Sequence, residues 1–253
     1  MVSRSVCYLV CLASLSIHSM AGSLTPTTVG SALADPRRPT EQIALDATRH
    51  PDVMVEFAAV KTGDRVADFM PGNGYFTRIL SDVVGPRGRV YAIIPSEQIA
   101  NCPAREIAGI LSLARDRSYG NLTVLRRSLT AVRLPEKLDM IWTAQNYHDL
   151  HDKFLGPPNV AILNRAFFNA LKPGGIFLVI DHVAEVGSGL RDTESLHRID
   201  PTRLRREIEA AGFVLEAYSD ALRNPDDDHT RTVFDSSIRG KTDQIVFRFR
   251  KPL

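Results

Sequence analysis

The segment that most limits how this chain folds is residues 66–77, VADFMPGNGYFT. A short apolar strand ends at Asp68, a glycine-rich turn follows, and apolar residues at helical spacing begin at Phe76. Glycines let a backbone turn tightly and approach a ligand closely. Because ligands of open α/β sheets bind at the carboxyl ends of strands, the turn is predicted to line a binding site, with Asp68 facing a cationic or amide-bearing group.

Strand and helix patterns alternate along most of the chain. Strands are predicted at residues 65–69, 90–94, 122–125, 138–143, 176–180, 213–218 and 244–250. Helical patterns lie between most of these runs, but no helix separates the last two strands, which can therefore pair antiparallel. We predict an α/β fold with a doubly wound, seven-stranded, mainly parallel sheet and an antiparallel last strand.

A dinucleotide-binding enzyme would carry the pattern G-x-G-x-x-G/A in the turn after the first strand. Here Gly72 and Gly74 are followed at the third position by Thr77, which is larger. The acid that such enzymes place at the end of the second strand is also absent. The pattern therefore disfavours a nicotinamide-dependent enzyme.

The same segment resembles motif I of class I methyltransferases, commonly acid-x-G-x-G-x-G. Asp68 matches the acid, and Gly72 and Gly74 match the second and third glycines. The resemblance extends over about residues 46–252 and includes LKPGG before the fifth strand and AGF before the sixth. The segments PGNGYFTR, NYHD and LHRID resemble a group of exported bacterial proteins predicted to be methyltransferases. This resemblance implies a Rossmann-like methyltransferase fold and S-adenosylmethionine as cofactor.

The resemblance also implies which positions contact the cofactor. The acid and the glycine turn would hold the amino acid end of S-adenosylmethionine, and the ends of strands two and three would hold its ribose and adenine. The implied positions are Asp68, Met70, Gly72, Asn73, Gly74, Ile94, Glu97 and Ser128.

Two of these positions depart from the family pattern. Met70 replaces the first glycine, and Ile94 stands where most members carry an acid for the ribose hydroxyls. An isoleucine cannot accept those hydrogen bonds, and each missing one costs roughly 1 kcal/mol. Glu97, just beyond, is the acid that can substitute, while Ser128 stands near the usual adenine-contact position.

Four histidines follow predicted strand ends or their extensions: His148, His151, His182 and His197. They are polar residues that hold loops together, or a general base for the methyl acceptor, or a metal site formed by the pair His148-x-x-His151 with Asp or His neighbours. For the general base, His148 is the first choice and His182, beside Asp181, the second. We therefore take His148, Asp181 and His182 as catalytic candidates, and we assign no metal ligand because His-x-x-His alone is not specific.

Length and charge limit the remaining possibilities. The chain of 253 residues suits one domain of ordinary size. Its net charge of +2 is too small for the basic footprint of a nucleic-acid-binding protein. We therefore expect a single methyltransferase-like domain over residues 35–253 with a small-molecule substrate and no nucleic-acid partner.

The N-terminal residues resemble an export signal. Arg4 precedes an apolar run at residues 6–17 that is too short to span a bilayer but has the length of a signal-peptide core. Small-x-small cleavage sites end at Ala21 and at Ala34, of which the second has the better sequence. We predict a signal peptide at residues 1–34, with cleavage after Ala21 or Ala34, and a periplasmic or secreted protein with no membrane span after its removal.

The leading hypothesis is an enzyme that transfers a methyl group from S-adenosylmethionine to a small molecule. The alternative is an exported protein with the same fold and a degenerate cofactor site, which binds a ligand or acts without methylating. Export favours this alternative, since S-adenosylmethionine is made in the cytoplasm and an exported enzyme would need its own supply.

Overall fold

The computed structural model describes residues 29–156 and 160–253, in which seven strands form one sheet. The predicted signal-peptide core and its first cleavage site, within residues 6–21, lie outside the described residues. The order across the sheet is β3-β2-β1-β4-β5-β7-β6. The strands are β1 (Arg65–Phe69), β2 (Arg89–Pro95), β3 (Leu122–Arg127), β4 (Leu138–Ala144), β5 (Leu171–His182), β6 (Val214–Ser219) and β7 (Gln244–Arg250).

Strand β1 lies at the centre of the sheet and pairs in parallel with β2 on one side and β4 on the other. The pairs β2–β3 and β4–β5 are also parallel. The sheet therefore grows outward in opposite directions from β1 and β4, and ligands bind at the carboxyl edge of such a switch point. Strand β7 lies antiparallel between β5 and β6, which confirms the predicted antiparallel last strand.

Helices connect the strands, and short helical turns follow the carboxyl end of β4. The short turns of 3-10 helix are at Arg117–Tyr119, His148–His151 and Lys153–Leu155. The α-helices are α1 (Val29–Leu33), α2 (Thr40–Ile43), α3 (Asp46–Arg49), α4 (Pro51–Ala58), α5 (Tyr75–Val84), α6 (Ser96–Asn101), α7 (Arg105–Leu113), α8 (Val160–Ala170), α9 (Thr193–Leu196) and α10 (Pro201–Glu209). Among the described residues, no helix has both the length and the apolar character needed to cross a bilayer.

Both faces of the sheet are buried. Successive strand residues point to opposite faces, so Ile93 and Ile94 of β2 belong to two separate apolar clusters, one on each side. Trp142 of β4 is fully buried in the same cluster as Ile94, with its ring centroid 4.8 Å from that of Phe76. Continuous apolar runs such as β2 are expected in a parallel sheet covered on both faces.

One predicted boundary was wrong for an identifiable reason. Strand β5 begins at Leu171 rather than Ile176, because residues 172–175 form an irregular extension of the strand rather than a loop. The pairing with β4 shifts register there, between Leu138 and Met140.

Candidate functional site

The turn after β1 passes through three residues with positive φ: Met70 (53°), Gly72 (53°) and Gly74 (83°). This left-handed conformation is easy for glycine and strained for other residues. Met70 therefore has the left-handed backbone conformation that a glycine, the usual residue of the family pattern at this position, adopts without strain. Its side chain is only 6% exposed and packs in the apolar core, which offsets the strain.

Neighbouring strands hold the turn in place. The Met70 N–H donates to the Ile93 carbonyl (2.9 Å), and Asn146 Nδ2 donates to the Met70 carbonyl (2.9 Å). On the outer side, Asn73 Oδ1 accepts a hydrogen bond from the Gly109 N–H of α7 (2.9 Å). A Cβ at Gly109 would lie 2.7 Å from that oxygen, so only glycine lets α7 approach the turn this closely. The sequence reasoning missed Asn146, although it stands in the NYHD segment next to His148.

A cavity of about 820 Å³ lies beside the turn. Four of the predicted cofactor-contact residues, Asp68, Met70, Gly72 and Asn73, line it. Gly74 lies at the start of α5 instead, where a Cβ would be 3.2 Å from side-chain atoms of Ile110 and Leu113 of α7. The cavity has the size of a small-molecule site and opens at the carboxyl edge of the sheet.

Asp68 is the buried acid of this cavity. Its side chain is 3% exposed, and Oδ2 accepts a hydrogen bond of 2.5 Å from Thr77 Oγ1. Burial raises the pKa of Asp68 to about 7, although the Thr77 hydrogen bond acts in the opposite direction. A cationic group that enters the cavity would therefore gain a poorly solvated carboxylate partner.

The positions expected at the nucleoside end do not line the cavity. Ile94 is fully buried in an apolar cluster, and its side chain does not line the cavity. The Glu97 carboxylate accepts hydrogen bonds from Ser128 Oγ (2.7 Å) and from the Leu129 N–H (3.1 Å). Glu97 and Ser128 are therefore bonded to each other, and together they tie α6 to the end of β3.

Arg49, at the end of α3, lines the same cavity and was missed in the sequence. Its guanidinium carbon lies 4.5 Å from the ring centroid of Tyr75, and burial lowers its pKa. Within the described ranges Arg49 forms no ion pair. An unpaired cation in a cavity wall suits an anionic group of a ligand. A lone arginine ahead of the first strand carries no sequence signal for this role.

The catalytic candidates His148, Asp181 and His182 lie together after β4 and at the end of β5. Asp181 is fully buried, with Oδ1 2.7 Å from His148 Nδ1 and Oδ2 accepting the His148 N–H at 2.7 Å. On the other side of the ring, His148 Nε2 is 3.1 Å from Asp149 Oδ1. Although burial alone lowers the pKa of His148, the two carboxylates raise it to about 10.

The remaining histidines have different partners. His182 Nδ1 is 2.8 Å from Thr242 Oγ1, and burial lowers its pKa well below the usual value. His151 Nε2 is 3.1 Å from Glu207, so the pair His148-x-x-His151 does not converge. The ring of His197 instead lies 5.4 Å from that of His148. Asp149, which the sequence reasoning did not single out, lines the cavity and connects this cluster to it.

Sequence comparison finds partial relatives. No family model matches the chain. The ubiquinone/menaquinone biosynthesis C-methyltransferase UbiE of Pseudomonas savastanoi pv. phaseolicola is 29% identical over 135 residues, which are 50% of this chain and 45% of that enzyme. The match thus spans less than half the length of this curated relative.

Solved structures match over most of the chain. A SAM-dependent methyltransferase from Aquifex aeolicus has a TM-score of 0.59 at 17% identity, covering 89% of this chain and 98% of that one. The chain has the class I methyltransferase fold. The [4+2]-cyclase SpnF is similar too, with a TM-score of 0.60, 20% identity and coverage of 87% of this chain and 84% of that one. The similarity to these structures confirms the α/β fold with a mainly parallel, seven-stranded sheet that the sequence predicted.

Proposed function

We propose that this protein is an S-adenosylmethionine-dependent methyltransferase that acts on a small molecule. The observation that carries the proposal is the cavity at the sheet's switch point, where the poorly solvated Asp68 and the glycine-rich turn lie side by side. The partial similarity to a C-methyltransferase supports the same reaction class. The net charge of +2 supports a small molecule rather than a nucleic acid as substrate.

The cavity offers a partner for each charge on the amino acid end of the cofactor. Asp68 would hold the α-ammonium group, and Arg49, which lines the same cavity without an ion pair among the described residues, would hold the α-carboxylate. Both side chains are partly or wholly removed from water, so these ion pairs gain more than exposed ones would. When bound, S-adenosylmethionine supplies a methyl group on a positively charged sulfonium.

We place the substrate side of the site at Asn146 and Asp149, which line the same cavity. Behind them, Asp181 fixes the orientation of His148 through two hydrogen bonds and accepts the His182 N–H at 2.8 Å. His148, Asp181 and His182 thus form a rigid buried support for groups that face the substrate. Alignment of the acceptor with the sulfonium carries much of the rate in a methyl transfer, so a rigid support is what the reaction needs.

A second function is favoured by one specific observation. Ile94 is buried where methyltransferases of this type usually have a ribose-binding acid, and Glu97 is bonded to Ser128. The fold is also that of a [4+2]-cyclase, SpnF, so the fold alone does not establish methyl transfer. In this alternative the protein binds or converts a small molecule without transferring a methyl group.

Titration calorimetry with S-adenosylmethionine and S-adenosylhomocysteine separates the two functions. We expect both ligands to bind the wild-type protein and Asp68→Ala to lose about a hundredfold or more in affinity, since an ion pair in a buried site is removed. Asp226→Ala, at an exposed acid in the loop before β7, is the matched control and should bind normally. Absence of binding by folded wild-type protein would support the non-methylating alternative.

We also propose that the protein is exported. The apolar run at residues 6–17 after Arg4 supports this proposal. Helix α1 packs against α4 and α5 with Ala32 buried, so cleavage after Ala21 would keep a helix of the folded domain that cleavage after Ala34 would remove. Mass spectrometry of the protein from its host tests this, and an intact N-terminus on cytoplasmic protein would contradict it.

A further inference from the structure

Four side chains with metal-ligating atoms converge beside the cavity: His148, Asp149, Asp152 and His197. The first three come from the 3-10 turn His148–His151 and the residue after it, and His197 follows α9. His148 and Asp152 are each 2% exposed, whereas Asp149 reaches the cavity wall. The cluster therefore lies between the buried support around Asp181 and the space proposed for the substrate.

The distances within the cluster are those of a coordination site. Asp149 Oδ1 is 3.1 Å from His148 Nε2 and 3.4 Å from His197 Nδ1, and these three ligand atoms lie within 4.8 Å of one another. Asp152 Oδ2 is 3.8 Å from His197 Nδ1. Ligand atoms placed tetrahedrally about 2.1 Å from a metal ion are about 3.4 Å apart, so His148, Asp149 and His197 need little movement to share one ion, whereas Asp152 would have to move closer.

The surrounding residues orient the ligands. Asp181 holds Nδ1 of His148, which leaves Nε2 directed at Asp149. A carboxylate on the far nitrogen of a histidine is the usual support for a metal-binding imidazole. His197 has a φ of 55°, a left-handed conformation that a non-glycine residue adopts only under constraint. That conformation brings its Nδ1 toward Asp149 and Asp152.

One polar atom of the cluster has no partner in the described chain. Asp152 Oδ1 is buried and has no hydrogen-bond partner among the described residues. Three carboxylates, those of Asp149, Asp152 and Asp181, face only two histidines, because His182 is turned to Thr242. A buried carboxylate oxygen without a donor is costly unless a cation lies beside it.

We propose that His148, Asp149, Asp152 and His197 bind one divalent first-row transition-metal ion. Two imidazole nitrogens with carboxylate oxygens suit zinc, cobalt, iron and manganese rather than magnesium or calcium. Because Asp149 reaches the cavity wall, a free coordination position of the ion would face the cavity. The site differs from the pair His148-x-x-His151 considered in the sequence, since His151 binds Glu207.

The function of the metal rests on the proposed methyltransferase activity. A substrate hydroxyl bound at the free position would lose its proton to water, because a bound cation lowers the pKa of a ligand hydroxyl. The resulting oxyanion attacks the methyl carbon of the sulfonium. The new O–C bond forms as the S–C bond breaks, and the electron pair of that bond stays on sulfur, which becomes a neutral thioether. The inferred substrate class is thus a small molecule with a hydroxyl group.

Cobalt(II) titration of untagged, chelator-treated full-length protein tests the site, since bound cobalt absorbs visible light in a way that reports its ligands. We expect one equivalent to bind with intense four- or five-coordinate bands. His197→Gln and Asp149→Asn should lose this spectrum. Asp181→Asn should weaken cobalt affinity by about tenfold to a hundredfold. Circular dichroism should show that all three variants remain folded. His229→Gln, a histidine paired with Asp243 elsewhere, is the matched control, and it and His151→Gln should bind as wild type does.

Three outcomes would overturn the proposal: no cobalt spectrum, a spectrum that survives both ligand substitutions, or equal loss in His229→Gln. Acetohydroxamate, a small oxygen chelator, should shift the cobalt bands, and unchanged bands would contradict a free position. Calorimetry with S-adenosylmethionine distinguishes failure of the proposed metal site from failure of the proposed methyltransferase function. Cobalt binding without cofactor binding contradicts only the methyltransferase function, whereas cofactor binding without cobalt binding contradicts only the metal site.

Discussion

The two ends of the proposed cofactor site are built in opposite ways. At the amino acid end, Asp68 is buried with Thr77 as its hydrogen-bond donor and lines the cavity. At the nucleoside end, Ile94 is buried among apolar side chains, and Glu97 is already bonded to Ser128. The first end holds a polar group that a ligand can satisfy, whereas the second has satisfied its polar groups within the protein.

This difference indicates where binding free energy is available. Burial makes the ionised form of Asp68 unfavourable, and a cationic ligand group that pairs with it offsets that free-energy cost. A ligand that bonds to Glu97 exchanges one hydrogen bond for another, and such exchanges contribute little. The amino acid end should therefore dominate cofactor affinity, and four predictions test this difference.

The largest expected effect concerns Ile94. The family pattern has an acid at this position, which would bind the ribose of the cofactor. Ile94→Asp should instead lower the free energy of unfolding by about 4 kcal/mol or more, because a carboxyl group replaces a fully buried apolar side chain. Urea denaturation followed by circular dichroism measures this. Ile94→Val, which should lose only about 0.5–1.5 kcal/mol, is the control. Tighter cofactor binding by a stable Ile94→Asp protein would contradict the comparison.

The second prediction concerns the stability of the ligand-free protein. Asp68 has a pKa of about 7 in the folded state against an ordinary value of 3.8, so folding favours its protonated form. Stability is therefore lost as pH rises from about 4 to about 7, by up to about 4 kcal/mol above pH 7. Asp68→Asn removes this loss and should be more stable than wild type at pH 8 by up to that amount.

The same comparison at pH 3 provides the control, because the carboxyl group is then mostly protonated in both the folded and the unfolded chain. The two proteins should have nearly equal stability there. Thermal unfolding at both pH values measures the difference. A variant that is less stable than wild type at pH 8 would show that Asp68 has a charged partner in the free protein.

The fold was predictable because its signals are local. Apolar runs and glycine turns lie within a few residues of the elements they specify. Asp68 and the glycine turn were found for the same reason. The extension of β5 was missed because residues 172–175 have the composition of a loop, and Gly174 and Gly175 are held by backbone hydrogen bonds to the distant Lys251.

The rest of the site depends on contacts between distant parts of the chain. Arg49 reaches the site from α3, and nothing beside it in the sequence indicates this. His197 was singled out in the sequence, but its position beside His148 follows only from the packing of the residue after α9. Ile94 shows a second limit. Successive side chains of a strand point to opposite faces, so a position at a strand end does not reveal which face it joins. Asp68 of β1 lines the cavity, but Ile94 of the neighbouring strand points into the core.

The third prediction is a pH dependence of cofactor binding that arises at the amino acid end. Because the pKa of Asp68 is about 7 in the free protein, affinity for S-adenosylhomocysteine should rise about tenfold per pH unit from pH 5 to 7 as the carboxylate forms. Calorimetry between pH 5 and 8 at constant ionic strength measures this acid limb. In Asp68→Asn the acid limb should disappear, and a wild-type affinity that is constant from pH 5 to 7 would contradict the assignment of Asp68.

The smallest effect is expected at the ribose. Removing the 2′-hydroxyl from S-adenosylhomocysteine should change its affinity by no more than about threefold, or about 0.7 kcal/mol, because Ile94 offers no acceptor and Glu97 is bonded to Ser128 and Leu129. Competition calorimetry of the two ligands measures the ratio, which should be the same in Glu97→Gln. A loss of tenfold or more that Glu97→Gln abolishes would show that Glu97 leaves Ser128 to bind the ribose. The nucleoside end would then contribute to affinity as the amino acid end does, and the contrast between them would belong only to the ligand-free protein.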